Sequence, residues 1–273
     1  MIILAAGDSF IFGSELSDCH DGGYTSNSQL VWPALIAKRN NYDYQSIAYP
    51  GHSNHAISRE VATAVNNQKF DNVTVLVSWT FTSRYEFMFD DQWFNINPWH
   101  TDPKRSFDSR GIDADRIRDL SEQVFRNSSR YWELYETLKE IVFLQNLLNQ
   151  HDINYIFTTS NNEYYQIDFN PDYGPQGSTW QERKKQYDKN PKTAWNITEP
   201  LNILYNSIDW SRWVFFPPGK EANETQAPRG FYQWALENKY SIAPMGHPLE
   251  EAHHDASLLL EDKFNELVKK NNQ

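Results

Sequence analysis

A serine and a histidine lie near opposite ends of the chain, in settings that suit acyl-transfer chemistry. Ser9 ends the turn Gly7-Asp8-Ser9, which follows five apolar residues and is typical of a buried parallel strand entering a tight turn. His247 precedes Pro248 in a loop before a C-terminal helix. Open α/β sheets place their chemistry at the carboxyl edge of the strands, where the two side chains can meet. This arrangement predicts Ser9 as nucleophile and His247 as its base.

A glycine turn after the second predicted strand offers a donor for the oxyanion that such chemistry forms. A short strand is expected at 44–49, and Pro50-Gly51-His52-Ser53-Asn54 follows it. Because Gly51 lacks a Cβ, a substrate oxygen can approach its amide, which would act together with the amide of Ser9. Asn54 suits two roles, as a cap of the next helix or as a residue that faces the substrate.

The β-branched run 73–77 predicts a central strand that delivers further polar residues to the same edge of the sheet. Thr80 offers a hydroxyl there, and Arg84 offers a cation for an anionic group. The alternative is a packed loop in which Arg84 and Glu86 form a surface ion pair.

Alternating strands and helices predict one α/β domain over 1–273, a three-layer α/β/α sandwich. Its flavodoxin-like central parallel sheet would have about five strands, with helices on both faces. Two stretches without sustained periodicity, at about 87–127 and 161–200, are expected to be irregular insertions. Helices are predicted at 28–39, 131–149, 201–208, 230–238 and 249–270, and the remaining strands at 153–159 and 213–216.

The composition and charge of the chain limit the classes of partner that it can bind. A net charge of −11 disfavours a broad nucleic-acid surface. The single cysteine, Cys19, allows no intramolecular disulfide, which fits a reducing compartment. No signal peptide or membrane span is recognised, so the expectation is a cytoplasmic protein without a membrane partner.

Two clusters allow a metal-dependent alternative. Asp18, His20 and Asp21 lie close together, and His253 and His254 follow His247. The Asp-x-His-Asp pattern at 18–21 has no known metal-ligand spacing. His247 and His253 lack the i, i+4 pairing that places two ligands on one helical face. No metal is therefore predicted, and His253 is expected to cap or pack.

The motifs together resemble those of the SGNH (GDSL-type) hydrolases. The matching residues are Gly-Asp-Ser at 7–9, Pro-Gly-x-Ser-Asn at 50–54 and His-Pro at 247–248. The resemblance spans the core but not the two insertions. It implies Ser9 as nucleophile, His247 as base, the amides of Ser9 and Gly51 as oxyanion donors, and no cofactor. The chain is also similar to SGNH-like proteins of tailed phages, which would imply association with a virion.

Two positions depart from the family pattern. The third block, Gly-x-Asn-Asp, would fall after Val77, where Thr80 replaces the asparagine donor. The family also has an aspartate three residues before the histidine, where this chain has Pro244. His247 would then need a carboxylate from elsewhere or a main-chain carbonyl. Nearby carboxylates are those of Glu250, Glu251 and Asp255, among which the sequence does not discriminate.

Two functions compete at this point. One is a serine esterase that removes an acyl or acetyl group from a small molecule or a carbohydrate. The other is an SGNH-like binding or structural module in a larger assembly, with its aromatic loops as the interface. The absent aspartate and asparagine favour the second function.

Overall fold

Four parallel strands form the central sheet. The computed structural model describes residues 1–19, 26–67, 70, 72–161, 201–217 and 229–270. The strands are β1 (Ile2–Ala6), β2 (Asp43–Ser46), β3 (Val73–Trp79) and β6 (Asn154–Thr159). Their order in the sheet is β2-β1-β3-β6, with β3 between β1 and β6. Every residue of β3 is buried, so the prediction of a central strand is confirmed.

Helices cover both faces of this sheet, which confirms the three-layer prediction. Successive residues of β1 point to opposite faces, as strand geometry requires: Leu4 packs with α3 and α5, and Ile3 with α2 and the C-terminal helix α8. Full burial of one such aliphatic side chain contributes roughly 1.5–3 kcal/mol. The helices are α1 (Ser9–Phe12), α2 (Trp32–Arg39), α3 (Asn54–Asn67), α4 (Ala114–Asn127), α5 (Arg130–Gln150), α6 (Leu201–Asn206), α7 (Phe231–Glu237) and α8 (Glu250–Lys270).

The prediction of a fifth strand at 213–216 is wrong. Trp213 forms one isolated parallel bridge with Phe157 of β6, and the Val214 amide donates to the Phe157 carbonyl at 2.8 Å. The segment thus occupies the position beside β6 without forming a ladder. Phe216 instead forms an isolated antiparallel bridge with Arg229.

The stretch 87–127 is regular rather than irregular, contrary to the prediction. It contains most of an antiparallel hairpin of β4 (Tyr85–Phe89) and β5 (Gln92–Ile96), a 3-10 helix at Pro98–Thr101, and α4. A separate small core holds these elements together, with Ile96 and Ile117 fully buried. Apolar residues from both strands of the hairpin and from α4 build that core. The strands are only five residues long, and α4 has its apolar residues Ile117, Leu120 and Val124 among charged ones.

The second predicted insertion, at 161–200, lies outside the described residues apart from Asn161. His20 and Asp21 of the metal alternative also lie outside them. Among the described helices, none combines the length and apolar character needed to cross a bilayer.

Candidate active site

Ser9 is the first residue of α1, directly after the turn that ends β1. The Asp8 side chain caps this helix, because its Oδ1 accepts a hydrogen bond from the Phe10 amide at 3.1 Å. Gly7 allows the turn to be tight: a Cβ there would lie 2.7 Å from Ile11 Cγ1. Ser9 itself is 8% exposed. Within the described part of the chain, its amide donates to no acceptor and remains available to a ligand.

A buried ion pair anchors the Ser9 turn. Asp8 is fully buried, and its Oδ2 accepts from Arg84 Nη1 at 2.9 Å and from the Thr80 hydroxyl at 2.5 Å. Ser160 completes the set, 3.3 Å from Asp8 Oδ1. A buried carboxylate is tolerated only when paired and hydrogen-bonded, as it is here. The anion that Arg84 contacts is therefore the protein's own Asp8.

The same guanidinium reaches the glycine turn. Arg84 Nη1 lies 3.3 Å from the His52 carbonyl oxygen, so one side chain links the Ser9 turn with the Gly51 turn. Gly51 has φ +79°, in the region that favours glycine. Asn95 of β5 holds the turn from the other side, since its Oδ1 accepts from the Ser53 amide at 2.9 Å.

The predicted surface pair between Arg84 and Glu86 is wrong. Arg84 is 7% exposed and contacts Asp8, whereas both carboxylate oxygens of Glu86 accept from Arg59 at 2.8 Å. Arg84 precedes β4 and pairs with Asp8, whereas Glu86 lies within β4 and faces Arg59 of α3.

Asn54 and Thr80 hydrogen-bond each other. The Thr80 amide donates to Asn54 Oδ1 at 2.8 Å, and Asn54 Nδ2 donates to the Thr80 carbonyl at 3.2 Å and to Thr137 Oγ1 at 3.1 Å. Asn54 is 1% exposed and Thr80 is fully buried. Ser53, not Asn54, caps α3, because its Oγ accepts from the Ala56 amide. These hydrogen bonds connect the end of β3 with the start of α3.

His247 has a carboxylate partner that the sequence did not indicate. Its Nδ1 lies 2.6 Å from Glu15 Oε2, and both Glu15 oxygens lie 3.2 Å from the Met245 amide. Glu15 adopts φ +68°, a conformation that costs an ordinary residue roughly 1–2 kcal/mol. These contacts hold it there. The carboxylate in contact with His247 is therefore that of Glu15, which was not among the candidates Glu250, Glu251 and Asp255.

The loop that carries His247 is itself fixed. The Ala243 amide donates to the His247 carbonyl at 2.8 Å, and Ile242 forms an antiparallel bridge with Pro248. The His247 ring packs against Phe10, the neighbour of Ser9, with ring centroids 5.3 Å apart. Within the described chain no hydrogen bond joins the Ser9 hydroxyl to His247. The His247 ring is held beside α1 by its contacts with Phe10 and Glu15.

The alternative candidates for orienting His247 have other partners. Glu250 Oε1 accepts from the Ser17 amide at 2.7 Å. Asp255 accepts from the Tyr240 hydroxyl at 2.6 Å and lies 3.0 Å from His254 Nδ1. The hydrogen bonds of these two carboxylates thus go to groups other than the His247 ring.

Two buried histidines remain neutral. Burial lowers the pKa of His253 to about 3, and its Nδ1 accepts from the Trp32 amide at the start of α2. This confirms the predicted capping role. Burial also lowers the pKa of His52 to about 3, and the guanidiniums of Arg59 and Arg110 lower it further. Among the described residues no group of three His, Cys, Asp or Glu side chains is arranged to hold a metal.

No family model matches the chain, and no curated protein matches it. Several solved structures are similar to this chain in fold. A carbohydrate esterase family 2 enzyme with a carbohydrate-binding domain, from Corynascus thermopiles (Myceliophthora fergusii), matches at 10% identity and TM-score 0.49, over 98% of this chain and 66% of that one. This chain therefore spans just under two thirds of that protein.

Two further structures show the same kind of likeness. A putative acylhydrolase from Bacteroides fragilis matches at 12% identity and TM-score 0.42, covering 98% of this chain and 88% of that one. A putative lipolytic protein of the G-D-S-L family from Desulfitobacterium hafniense matches at 12% identity and TM-score 0.31, covering 70% and 72%. These structural neighbours are thus described as esterases, acylhydrolases or lipolytic proteins.

Proposed function

We propose that the chain is a serine hydrolase that cleaves an acyl or acetyl ester, with Ser9 as nucleophile and His247 as base. The observation that carries the proposal is the 2.6 Å contact between His247 Nδ1 and Glu15, beside the helix that begins at Ser9. With Nδ1 held by a carboxylate, Nε2 is the nitrogen that can take a proton from a hydroxyl.

The proposed reaction has two halves. His247 Nε2 removes the Ser9 proton while Oγ bonds to the ester carbonyl carbon, and the carbonyl electron pair moves to the oxygen. The amides of Ser9 and Gly51 donate to that oxyanion, an interaction worth on the order of 3 kcal/mol for each donor. The alkoxide leaves with the proton from His247. Water then attacks the acyl-serine by the same route, releasing the acid and restoring Ser9.

The surrounding network supports this chemistry by fixing both donor turns before a substrate arrives. Arg84 contacts Asp8 in one turn and the His52 carbonyl in the other. Preorganised donors cost no reorganisation during the reaction. Glu15 stabilises the imidazolium that forms when His247 takes the proton.

The test is hydrolysis of p-nitrophenyl acetate by the wild-type protein and by the Ser9→Ala and His247→Ala variants. His254→Ala is the matched control, because His254 also lies against a carboxylate, 3.0 Å from Asp255, but on an exposed surface of α8. We expect loss of activity in the first two variants and wild-type activity in the control. Equal rates in wild type and Ser9→Ala would refute the proposal for simple acyl esters.

A binding or structural module is the second candidate function. It is favoured by the burial of Ser9, at 8% exposure, and by the Thr80 hydroxyl, which is already bonded to Asp8. Met88 and Trp93 on the β4–β5 hairpin are 53% and 39% exposed and would serve as an interface, as in the assembly that the phage resemblance implies. A stable wild-type protein without turnover on p-nitrophenyl or carbohydrate acetates would support this function.

A further inference from the structure

The insertion that follows the β4–β5 hairpin brings two guanidinium groups to the rim of the candidate site. Arg110 Cζ lies 4.9 Å from the centroid of the Tyr49 ring, and Arg105 Cζ lies 5.4 Å from that of Trp99. Both arginines are exposed. Stacking on an aromatic face orients a guanidinium while leaving its edge N–H groups available for a ligand.

Both rings are tied to the turns that carry Ser9 and Gly51. The Tyr49 amide donates to the Gly7 carbonyl at 3.3 Å, and the Tyr49 ring lies 6.0 Å from that of Phe12 in α1. Trp99 also lies beneath Arg84, at 5.5 Å, and Arg84 is bonded to Asp8. The two guanidiniums therefore stand over the same edge of the sheet as Ser9.

Arg105 and Arg110 differ from most other arginines of the chain. Elsewhere in the described part, arginines on the surface are paired with carboxylates, such as Arg39 with Glu261 and Arg116 with Asp90. The guanidiniums of Arg105 and Arg110 make no ion pair or hydrogen bond with a described residue. In a chain of net charge −11, two such cations at one rim are unusual.

The backbone around these cations is held in place, and the neighbouring carboxylates are occupied. Arg118 of α4 donates to the Asp102 carbonyl at 2.5 Å and to the Arg105 carbonyl at 2.8 Å. Asp102 Oδ1 accepts from the Lys104 amide, and Asp108 Oδ1 accepts from the Arg110 amide, both at 2.9 Å. The loop is thus preorganised, and these acids bind backbone amides instead of the guanidiniums.

We infer that the site accepts esters carried on an acidic carbohydrate, whose carboxylate groups bind the guanidiniums of Arg105 and Arg110 while the ester lies at Ser9. A guanidinium matches a carboxylate with two parallel N–H···O hydrogen bonds, which neutral sugars do not provide. This inference rests on the proposed esterase function, because it names the substrate class of the same site.

The experiment measures binding rather than turnover, with a Ser9→Ala protein as the background. Trigalacturonic acid and the neutral trisaccharide galactotriose are titrated by isothermal calorimetry at 20 and 200 mM NaCl. Arg105→Gln/Arg110→Gln is the test variant. Arg116→Gln is the matched control, since Arg116 stands 5.1 Å over the Phe89 ring of the same insertion but is paired with Asp90.

We expect the acidic trisaccharide to bind more tightly than the neutral one, more so at low salt, and to lose about tenfold in affinity in the double variant. Arg116→Gln should bind as the background protein does. Equal binding of the two trisaccharides, absence of binding, or an unchanged affinity in the double variant would overturn the inference.

The outcome is separable from the fate of the esterase proposal. Wild-type hydrolysis of neutral p-nitrophenyl acetate, lost in Ser9→Ala, combined with no preference for the acidic trisaccharide, would overturn only the substrate class. Acidic binding that depends on Arg105 and Arg110, without hydrolysis of any acetate by the wild type, would retain the anion site and refute the esterase.

Discussion

Replacing Glu15 by glutamine removes one negative charge from beside His247 and keeps the size of the side chain. The carboxylate lies 2.6 Å from His247 Nδ1 and stabilises the imidazolium that the proposed reaction forms. In a buried Ser-His-Asp triad, loss of this charge costs about 10⁴ in turnover. Here the Glu15 side chain is 20% exposed and that of His247 is 12% exposed, so water screens part of the interaction. We therefore expect a smaller loss, of about 10²–10³ in kcat, or roughly 3–4 kcal/mol.

The assay is steady-state hydrolysis of p-nitrophenyl acetate, with kcat and KM determined separately. The loss should fall on kcat, because Glu15 acts on the transition state through His247 and has no contact with the ground-state ester. Unfolding should change by less than about 1 kcal/mol, as for a partly exposed ion pair.

Glu250→Gln is the matched control for this prediction. Glu250 also binds a backbone amide, that of Ser17, and belongs to the same region between α1 and α8, but it does not contact His247. Its replacement should leave kcat within about twofold of the wild-type value. A Glu15→Gln protein with wild-type kcat, or an equal loss in Glu250→Gln, would refute the assignment of Glu15 as the orienting carboxylate.

Three further predictions concern the framework. Arg84→Met leaves Asp8 buried without its cation and should lower the free energy of unfolding by about 3–5 kcal/mol in urea titrations, with a smaller loss when Asp8→Asn is added. Gly7→Ala places a Cβ 2.7 Å from Ile11 and should lower stability by about 1–3 kcal/mol and kcat by about 10² as α1 shifts. Burial lowers the pKa of His253 from its ordinary value of 6.5 to about 3, so folding favours the neutral ring. The free energy of unfolding should therefore be highest above pH 6.5 and should fall as the pH is lowered, by about 2 kcal/mol at pH 5.

The Arg84 and His253 predictions each have a contrasting measurement. Arg126→Met removes an exposed i,i+4 pair with Glu122 and should cost less than about 0.5 kcal/mol, so equal losses in Arg84→Met and Arg126→Met would contradict the buried-pair argument. The His253→Gln protein should lose less stability than wild type between pH 7 and pH 5. Identical pH dependence in the two would show that His253 is not the titrating group.

The fold could be predicted from local pattern because each core element carries its own signal. Four of the five residues 73–77 are β-branched, and they form part of the central strand β3. The alternation of such runs with amphipathic helices determines a layered α/β architecture, since each apolar face needs a partner. The same logic failed for 87–127, where two five-residue strands and the amphipathic helix α4 share one small core, to which each contributes only a few apolar residues.

The local backbone roles of single residues could also be predicted from the sequence. Gly7 and Gly51 stand where the backbone turns tightly or adopts positive φ, and Ser9 begins a helix after the first strand. Residue type and a flanking strand are enough to predict such positions, because the steric limits on glycine act within a few neighbouring residues.

Only the tertiary structure decided which charged groups meet. Arg84 contacts Asp8, 76 residues away, and His247 contacts Glu15, 232 residues away. No local period encodes such pairs, because they depend on where β1, β3 and the loop before α8 converge at the edge of the sheet. The sequence by itself therefore determined the architecture and the candidate nucleophile and base, whereas long-range packing selected their partners. Side chains 76 and 232 positions apart are brought together by burial of the core and not by any property of their own segments.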